Sequence, residues 1–212
     1  DADVERYQVL DQLALLVGKS LVVAETNSGR TRYRLLETVR QYALEKLGES
    51  GEADTVRSRH RDYYAQMAAL LDAPAQTGHQ GRVEQAETEI DNLRAALAWC
   101  RENGDLAVML QLASSLQSLW LARGRIREGL TWLESGLADD KVQQVPPAVR
   151  VRAFAVKAAM LGWIGTADSV ADADQALAIA RDLGDPALLV RALIARGSAS
   201  LHEADVSKQY FD

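Results

Sequence analysis

The chain has 212 residues, 48% of them hydrophobic and 25% charged, enough apolar content for one elongated array or two compact domains. A formal net charge of −6 argues against non-specific nucleic-acid binding, which needs a surplus of Lys and Arg on some face, and leaves only local basic patches open. Cys100 is the only cysteine, which excludes an intrachain disulfide and a cysteine-based metal cluster and fits a reducing cytoplasm.

Abundant Ala and Leu with few Phe is the composition of packed helices. No apolar run approaches the roughly 20 residues of a membrane span, and Asp1-Ala2-Asp3 opens no signal segment. With no initiator Met and an end on Tyr210-Phe211-Asp212 just after a helical pattern, the chain is expected to be an excerpt of a longer protein.

In chain order, Val4, Tyr7, Leu10, Leu13, Leu16 and Val17 mark an amphipathic helix that Gly18 is expected to end. Two strand-like runs follow, Ser20 to Glu25 and Arg30 to Leu36, around a hairpin loop of Thr26-Asn27-Ser28-Gly29. From Glu37 the helical period returns through Val39, Ala43 and Leu47 until Gly48. Helix, hairpin and helix make a partial winged helix over residues 1–48, whose apolar face requires earlier helices to cover it.

Residues 49–104 read as linking helices. Val56, His60, Tyr63, Met67 and Leu70 mark one helix that ends before Pro74, and a loop to Gly81 precedes a single helix through Val83, Ala86, Ile90, Leu93, Leu97 and Cys100. From 105 to 212 the chain repeats. The spacing predicts paired helices over Leu106 to Leu121 and Ile126 to Leu137, then Pro147 to Trp163 and Ser169 to Leu183, with Asp185-Pro186 starting a third pair. Val151-Arg152-Ala153 recurs as Val190-Arg191-Ala192, an offset of 39 residues, somewhat longer than the roughly 34 of a tetratricopeptide repeat. Gly136 and Ala176 are candidates for close helix approach. The fold class that follows is mostly α, a partial winged helix with a β-hairpin followed by an α-solenoid of tetratricopeptide-like hairpins, whose stacked pairs share one core and leave a concave surface for ligands.

No pattern points to catalysis. Gly18-Lys19-Ser20 resembles the end of a phosphate-binding loop, but Leu13 stands where the motif needs Gly, and the tripeptide follows a helix instead of a strand. His60, His79 and His202 lack helically spaced ligand partners, and Glu87 with Glu89, or Asp172 with Asp174, stand two apart and point in different directions. No Ser or Thr is paired with a base and an orienting acid. Hence no catalytic, cofactor-binding or metal-ligating residue is assigned, and no cofactor is expected. Arg57, Arg59, His60 and Arg61 form the strongest basic cluster, with Arg30, Arg32 and Arg34 on the hairpin. This cluster is a possible DNA or interdomain contact, but the first helix offers mainly Asp, Gln and Leu in place of base-reading side chains, which favours intramolecular salt bridges over DNA. Trp99, Trp120, Trp132 and Trp163 fall in the apolar pattern and are expected in the core, with at most one of them lining the groove.

Three blocks carry a resemblance. They are Arg32-Tyr33-Arg34-Leu35-Leu36-Glu37-Thr38-Val39-Arg40-Gln41-Tyr42-Ala43, then Arg59-His60-Arg61-Asp62-Tyr63-Tyr64, then Asp91-Asn92-Leu93-Arg94-Ala95-Ala96-Leu97-Ala98-Trp99. In this order they resemble the large actinobacterial signal-transduction NTPases of the STAND class, among them the LuxR-type and AfsR-like transcriptional regulators. The resemblance implies an NB-ARC-like ATPase core upstream as a partner of this fragment, a winged helix ending near residue 48, and helical repeats that sense a protein or small-molecule inducer. In such proteins a His-Asp pair at the start of the last winged-helix helix contacts bound ADP. Leu36 and Glu37 stand there in this chain, and because Leu36 cannot donate to a phosphate no nucleotide-binding residue is carried over.

The expected function is therefore a non-catalytic sensor and scaffold, cytoplasmic, with no membrane partner. The alternative is a DNA-binding module using the winged-helix remnant and the basic cluster. An enzyme with an unrecognised site is a third reading. An uncovered winged-helix face would favour a homo-oligomer.

Overall fold

The computed structural model describes residues 6–27, 29–72, 78–166 and 168–200. Val4, Ser28, Pro74, His202 and the C-terminal Tyr210-Phe211-Asp212 lie outside them. The chain divides into two compact units, residues 1–56 and 57–212. The described residues are mostly helical, with one two-stranded antiparallel sheet.

The first unit opens with α1 (Arg6–Gly18). The helix ends at Gly18, as expected, though Gly18 itself is not the left-handed residue. Ser20, at φ 59°, takes the left-handed turn, while the Leu21 amide reaches back to the Leu16 carbonyl at 3.0 Å and the Ser20 amide to Val17 at 2.9 Å. Then come β1 (Val22–Asn27) and β2 (Arg30–Leu35), paired from Val22 opposite Leu35 to Asn27 opposite Arg30. The ladder reaches Asn27 opposite Arg30, so Thr26 and Asn27, expected in a four-residue hairpin loop, lie in β1; Thr26 pairs with Thr31, their hydroxyls 3.1 Å apart. Gly29 at φ 77° supplies the left-handed backbone that so tight a connection needs.

The unit continues with α2 (Glu37–Glu49), on whose first turn Glu37 accepts from Arg40 at 2.6 and 2.8 Å and from Gln41 at 3.0 Å. These donors, Arg40 first, hold the Glu37 carboxyl down to about 2. Val22 is the one buried large apolar side chain of this unit among the described residues, while Leu10, Leu15, Leu16, Leu35 and Leu44 are exposed.

The boundary between the units falls inside α3 (Ala53–Ala69). The second unit then runs through α4 (His79–Thr88), α5 (Ile90–Glu102), α6 (Leu106–Ser115), α7 (Gln117–Ala122), α8 (Ile126–Leu137), a short 3-10 turn (Asp140–Gln144), α9 (Pro147–Trp163), α10 (Ser169–Leu183) and α11 (Pro186–Ala199). Helices α9 and α10 start and stop where the repeat pattern places them, and α11 starts where Asp185-Pro186 places it. Two helices expected to be continuous are broken. The single helix through Val83 and Cys100 splits at Glu89, whose carboxylate accepts the Tyr64 hydroxyl at 2.9 Å and the Asn92 amide at 2.6 Å. The helix expected over 106–121 breaks at fully buried Leu116.

Two cores hold this unit. The larger gathers Leu93, Leu97, Leu110, Leu116, Trp120, Leu133 and Met160, among others from α3 to α9. The helices of 57–104 thus share a core with α6 to α9. Trp120 is wholly buried, and its indole N–H donates to the Ala113 carbonyl at 3.0 Å. The smaller core is mostly alanine: Ala155 and Ala158 of α9, Ala173, Ala176 and Ala180 of α10, Ala192, Ala195 and Ala199 of α11. Small side chains at those positions let three helices approach closely, the role expected of Ala176. Gly136 does the same for α8, because a Cβ there would stand 2.7 Å from Leu110 Cδ2 and 2.8 Å from Met109 Cε. Helix α9 faces both cores, with Ala153, Val156 and Met160 in the larger and Val151, Ala155 and Ala158 in the smaller.

The tryptophans divide. Trp99 and Trp120 are buried and Trp132 packs against the larger core, but Trp163, at the end of α9, is 72% exposed and lacks the core role expected of most of the four.

Candidate functional site

The basic cluster spreads around α3. The Arg57 guanidinium lies 5.0 Å over the Trp99 ring, and His60 packs 4.7 Å from the Tyr64 ring. Arg61 bridges Asp62 at 2.8 Å and also pairs with Asp105, which follows α5. Arg59 is exposed. On the hairpin, Arg34 Nε donates to Glu25 Oε1 at 2.6 Å, and Arg32 stands directly opposite Glu25 in the register. Arg57 and Arg61 are thus engaged by other side chains of the second unit, and Arg34 by one of the first.

A different set of charges converges where the sequence pattern alone would not place a site. Asp72 follows α3, and Ser115 at the end of α6 donates its hydroxyl to Asp72 Oδ2 at 2.6 Å. Arg152 of α9 hydrogen-bonds the same oxygen, and Arg191 Nη2 of α11 stands 3.5 Å from Oδ1. One carboxylate therefore faces two guanidinium groups. Arg152 and Arg191 are the middle residues of the recurring Val-Arg-Ala triplet, so the 39-residue offset carries equivalent cations to equivalent places on α9 and α11. Burial pushes both guanidinium groups below their usual range, and Arg152 is lowered further by its positive neighbour Arg191. The Arg152 Nε is buried with no hydrogen-bond partner among the described residues.

Arg191 also lines a groove of about 350 Å³. Its walls are Ala155, Val156 and Ala159 of α9 and Val190 and Ile194 of α11, with Gln117 at the start of α7. Val190 and Ile194 are more than half exposed. A mostly apolar concavity with a few polar groups at one side is the common form of a small-molecule site. Asp72 was beyond sequence reasoning because it lies 43 residues from Ser115 and 80 from Arg152. The arginines were findable from the triplet, which marks a period and at the same time a repeated charge.

Cys100 is wholly buried, and burial pushes its thiol up to about 12, so it has no thiolate character near neutrality. Among the described residues no helix is long and apolar enough to cross a membrane.

Residues 2–48 match the family model of the winged helix-turn-helix domain. Over 217 aligned residues the chain is 57% identical to a protein of Mycobacterium bovis and to one of Mycobacterium tuberculosis, each named Putative HTH-type transcriptional regulator, with 99% of this chain and 24% of theirs aligned. A shorter match, 59% identical over 66 residues, joins 31% of this chain to 17% of an uncharacterized protein of Mycobacterium tuberculosis. No solved structure matches. The chain spans about a quarter of the length of the curated relatives it matches first, and its N-terminal unit carries a winged helix-turn-helix domain.

Proposed function

We propose that this chain is the non-catalytic sensor and scaffold region of a cytoplasmic bacterial transcriptional regulator of the STAND NTPase, LuxR-type class. The helical pairs after residue 105 are read as tetratricopeptide-like repeats whose groove binds a protein or small-molecule inducer. Binding biases an NTPase module elsewhere in the protein, which requires the inducer to prefer one of its two states. The observation that carries this reading is the order of parts. A winged helix-turn-helix domain is followed by a helical unit with an apolar groove, and nearly the whole chain is similar to proteins named as transcriptional regulators. The test fills the groove in the full-length protein. Ile194→Trp should change both ATP turnover and the output of a promoter-reporter strain, and a full-length variant with both unchanged overturns the reading.

The family match also favours a second reading, in which the winged helix-turn-helix unit itself contacts DNA. Phosphate contacts would then give duplex binding that weakens steeply with salt. Charge reversal of Arg57, Arg59 and Arg61, or of Arg32 and Arg34 on the hairpin, should abolish it. Duplex binding indifferent to both sets of reversals removes this reading.

A further inference from the structure

We propose that the groove between α9 and α11 takes a small amphiphilic oxyanion, an apolar body ending in a carboxylate or phosphate, and that Asp72 competes with that anion for Arg191. The inference rests on the groove being the regulatory site and adds the chemistry of its ligand.

Three observations carry it. The first is a charge imbalance: Arg152 and Arg191 converge on a single carboxylate, which also accepts from Ser115, so one positive charge is left over in a partly buried place. Two guanidinium groups held together by one carboxylate are better satisfied when a second anion arrives, because charge-assisted hydrogen bonds are worth roughly twice neutral ones. The second is the buried Arg152 Nε without a partner among the described residues, a donor that folding leaves unused at the cluster. The third is continuity: Arg191 belongs both to the cluster and to the groove wall, where Ala155, Val156, Ala159, Val190 and Ile194 offer an apolar bed. A ligand lying on those side chains brings its head group to Arg191. At about 350 Å³ the space suits a small molecule.

The competition with Asp72 gives the site a built-in threshold. Its carboxylate already neutralises part of the cluster, so an incoming anion competes with it for Arg191. Removing that competitor should tighten the ligand and leave the apolar bed unchanged. The Arg191 side chain, which lines the groove, would then turn to the new anion.

The experiment is titration calorimetry on the 212-residue chain with three probes that share one alkyl chain: decanoate, decyl phosphate and decanol. Decanoate or decyl phosphate should bind about ten-fold more tightly than decanol, the value of one charge-assisted contact. The stronger of the two anions identifies the head group. Arg191→Gln should erase the preference, Arg191→Lys should restore part of it, and Asp72→Asn should tighten the anion several-fold without changing decanol. Circular dichroism melts confirm that each variant is folded, and the probe comparison on the unsubstituted chain decides the matter if one is not.

Equal binding of all three probes overturns the anion assignment and leaves the groove reading standing. Binding of none of them, or binding to the 212-residue chain that is lost in the full-length protein because its own downstream residues cover the groove, also overturns the proposal. In either case Ile194→Trp in the full-length protein still decides the regulatory reading separately.

Discussion

The two units handle the same problem, hiding apolar side chains, with very different completeness. The first buries Val22 and leaves Leu10, Leu15 and Leu16 of α1 and Leu35 of β2 exposed, so its local geometry rests on hydrogen bonds and turns. The second closes two cores around α9 and wholly buries Trp120, Leu116, Leu133 and Met160. Burial at about 25 cal/mol per Å² of apolar surface is the dominant favourable term in folding, so stability is concentrated in residues 57–212. The lesson is that a correct secondary structure and a completed core are separate achievements of a sequence. The first unit has the strands and helices of its family without much interior among the described residues.

The largest expected effect breaks the comparison at its strongest point. Trp120→Ala removes a wholly buried indole and its bond to Ala113, and should cost about 3–5 kcal/mol. Leu15→Ala, at a position 57% exposed, should cost less than about 0.5 kcal/mol. All four tryptophans lie in the second unit, so fluorescence-detected urea unfolding measures the first variant, and amide exchange in α1 and β1 measures the second. Comparable costs for the two variants would refute the contrast.

Next in size are the glycines of α8. A Cβ at Gly129 would stand 2.6 Å from Trp120 Cδ1 and 2.7 Å from Cγ, a rigid ring within the core, whereas at Gly136 it meets the mobile ends of Leu110 and Met109. Overpacking costs roughly 1–3 kcal/mol, and Gly129→Ala should lie at the upper end and Gly136→Ala near about 1 kcal/mol. Calorimetric melts of the two single variants check the order.

Asp72 sharpens the contrast within the second unit. Asp72→Asn leaves Arg152 and Arg191 facing each other across a neutral amide, whereas Arg191→Gln leaves Asp72 with Arg152 and Ser115. The first should cost about 2 kcal/mol and the second about 1 kcal/mol or less, because stranding partly buried charge is worse than thinning a network. Denaturant midpoints in low salt measure the difference, and equal losses would show that Asp72 is only one more surface carboxylate.

Much of this architecture was legible because helical periodicity and punctuation agree. At Asp185-Pro186 the Asp185 carboxylate accepts from the Ala187 and Leu188 amides at 2.8 and 3.2 Å, and α11 begins where the pair of residues says it should. The breaks at Glu89 and Leu116 were not legible, since a turn of one residue barely shifts the apolar phase and neither position carries Gly or Pro. The site was half legible. Arg152 and Arg191 repeat in sequence, but Asp72 meets them only through packing of α3, α9 and α11, and no local pattern encodes that meeting.

The smallest predicted effect belongs to the first unit and tests whether its geometry is set by turns. Sequence pattern assigned the end of α1 to Gly18, yet the left-handed residue is Ser20 at φ 59°, where a Cβ is crowded by the backbone. Ser20→Gly removes that crowding at a cost of some unfolded-state entropy, so the net gain should be about 0.5 kcal/mol. Gly18, with helical backbone and open space around its Cβ position, should instead gain about 0.5–1 kcal/mol as Ala. Both substitutions should slow amide exchange in α1 and β1 and leave the tryptophan-detected unfolding of residues 57–212 where it was. If Ser20→Gly loosens the hairpin instead, the helix end is held by the Ser20 side chain and not by the left-handed turn, and the first unit depends on more than its local backbone.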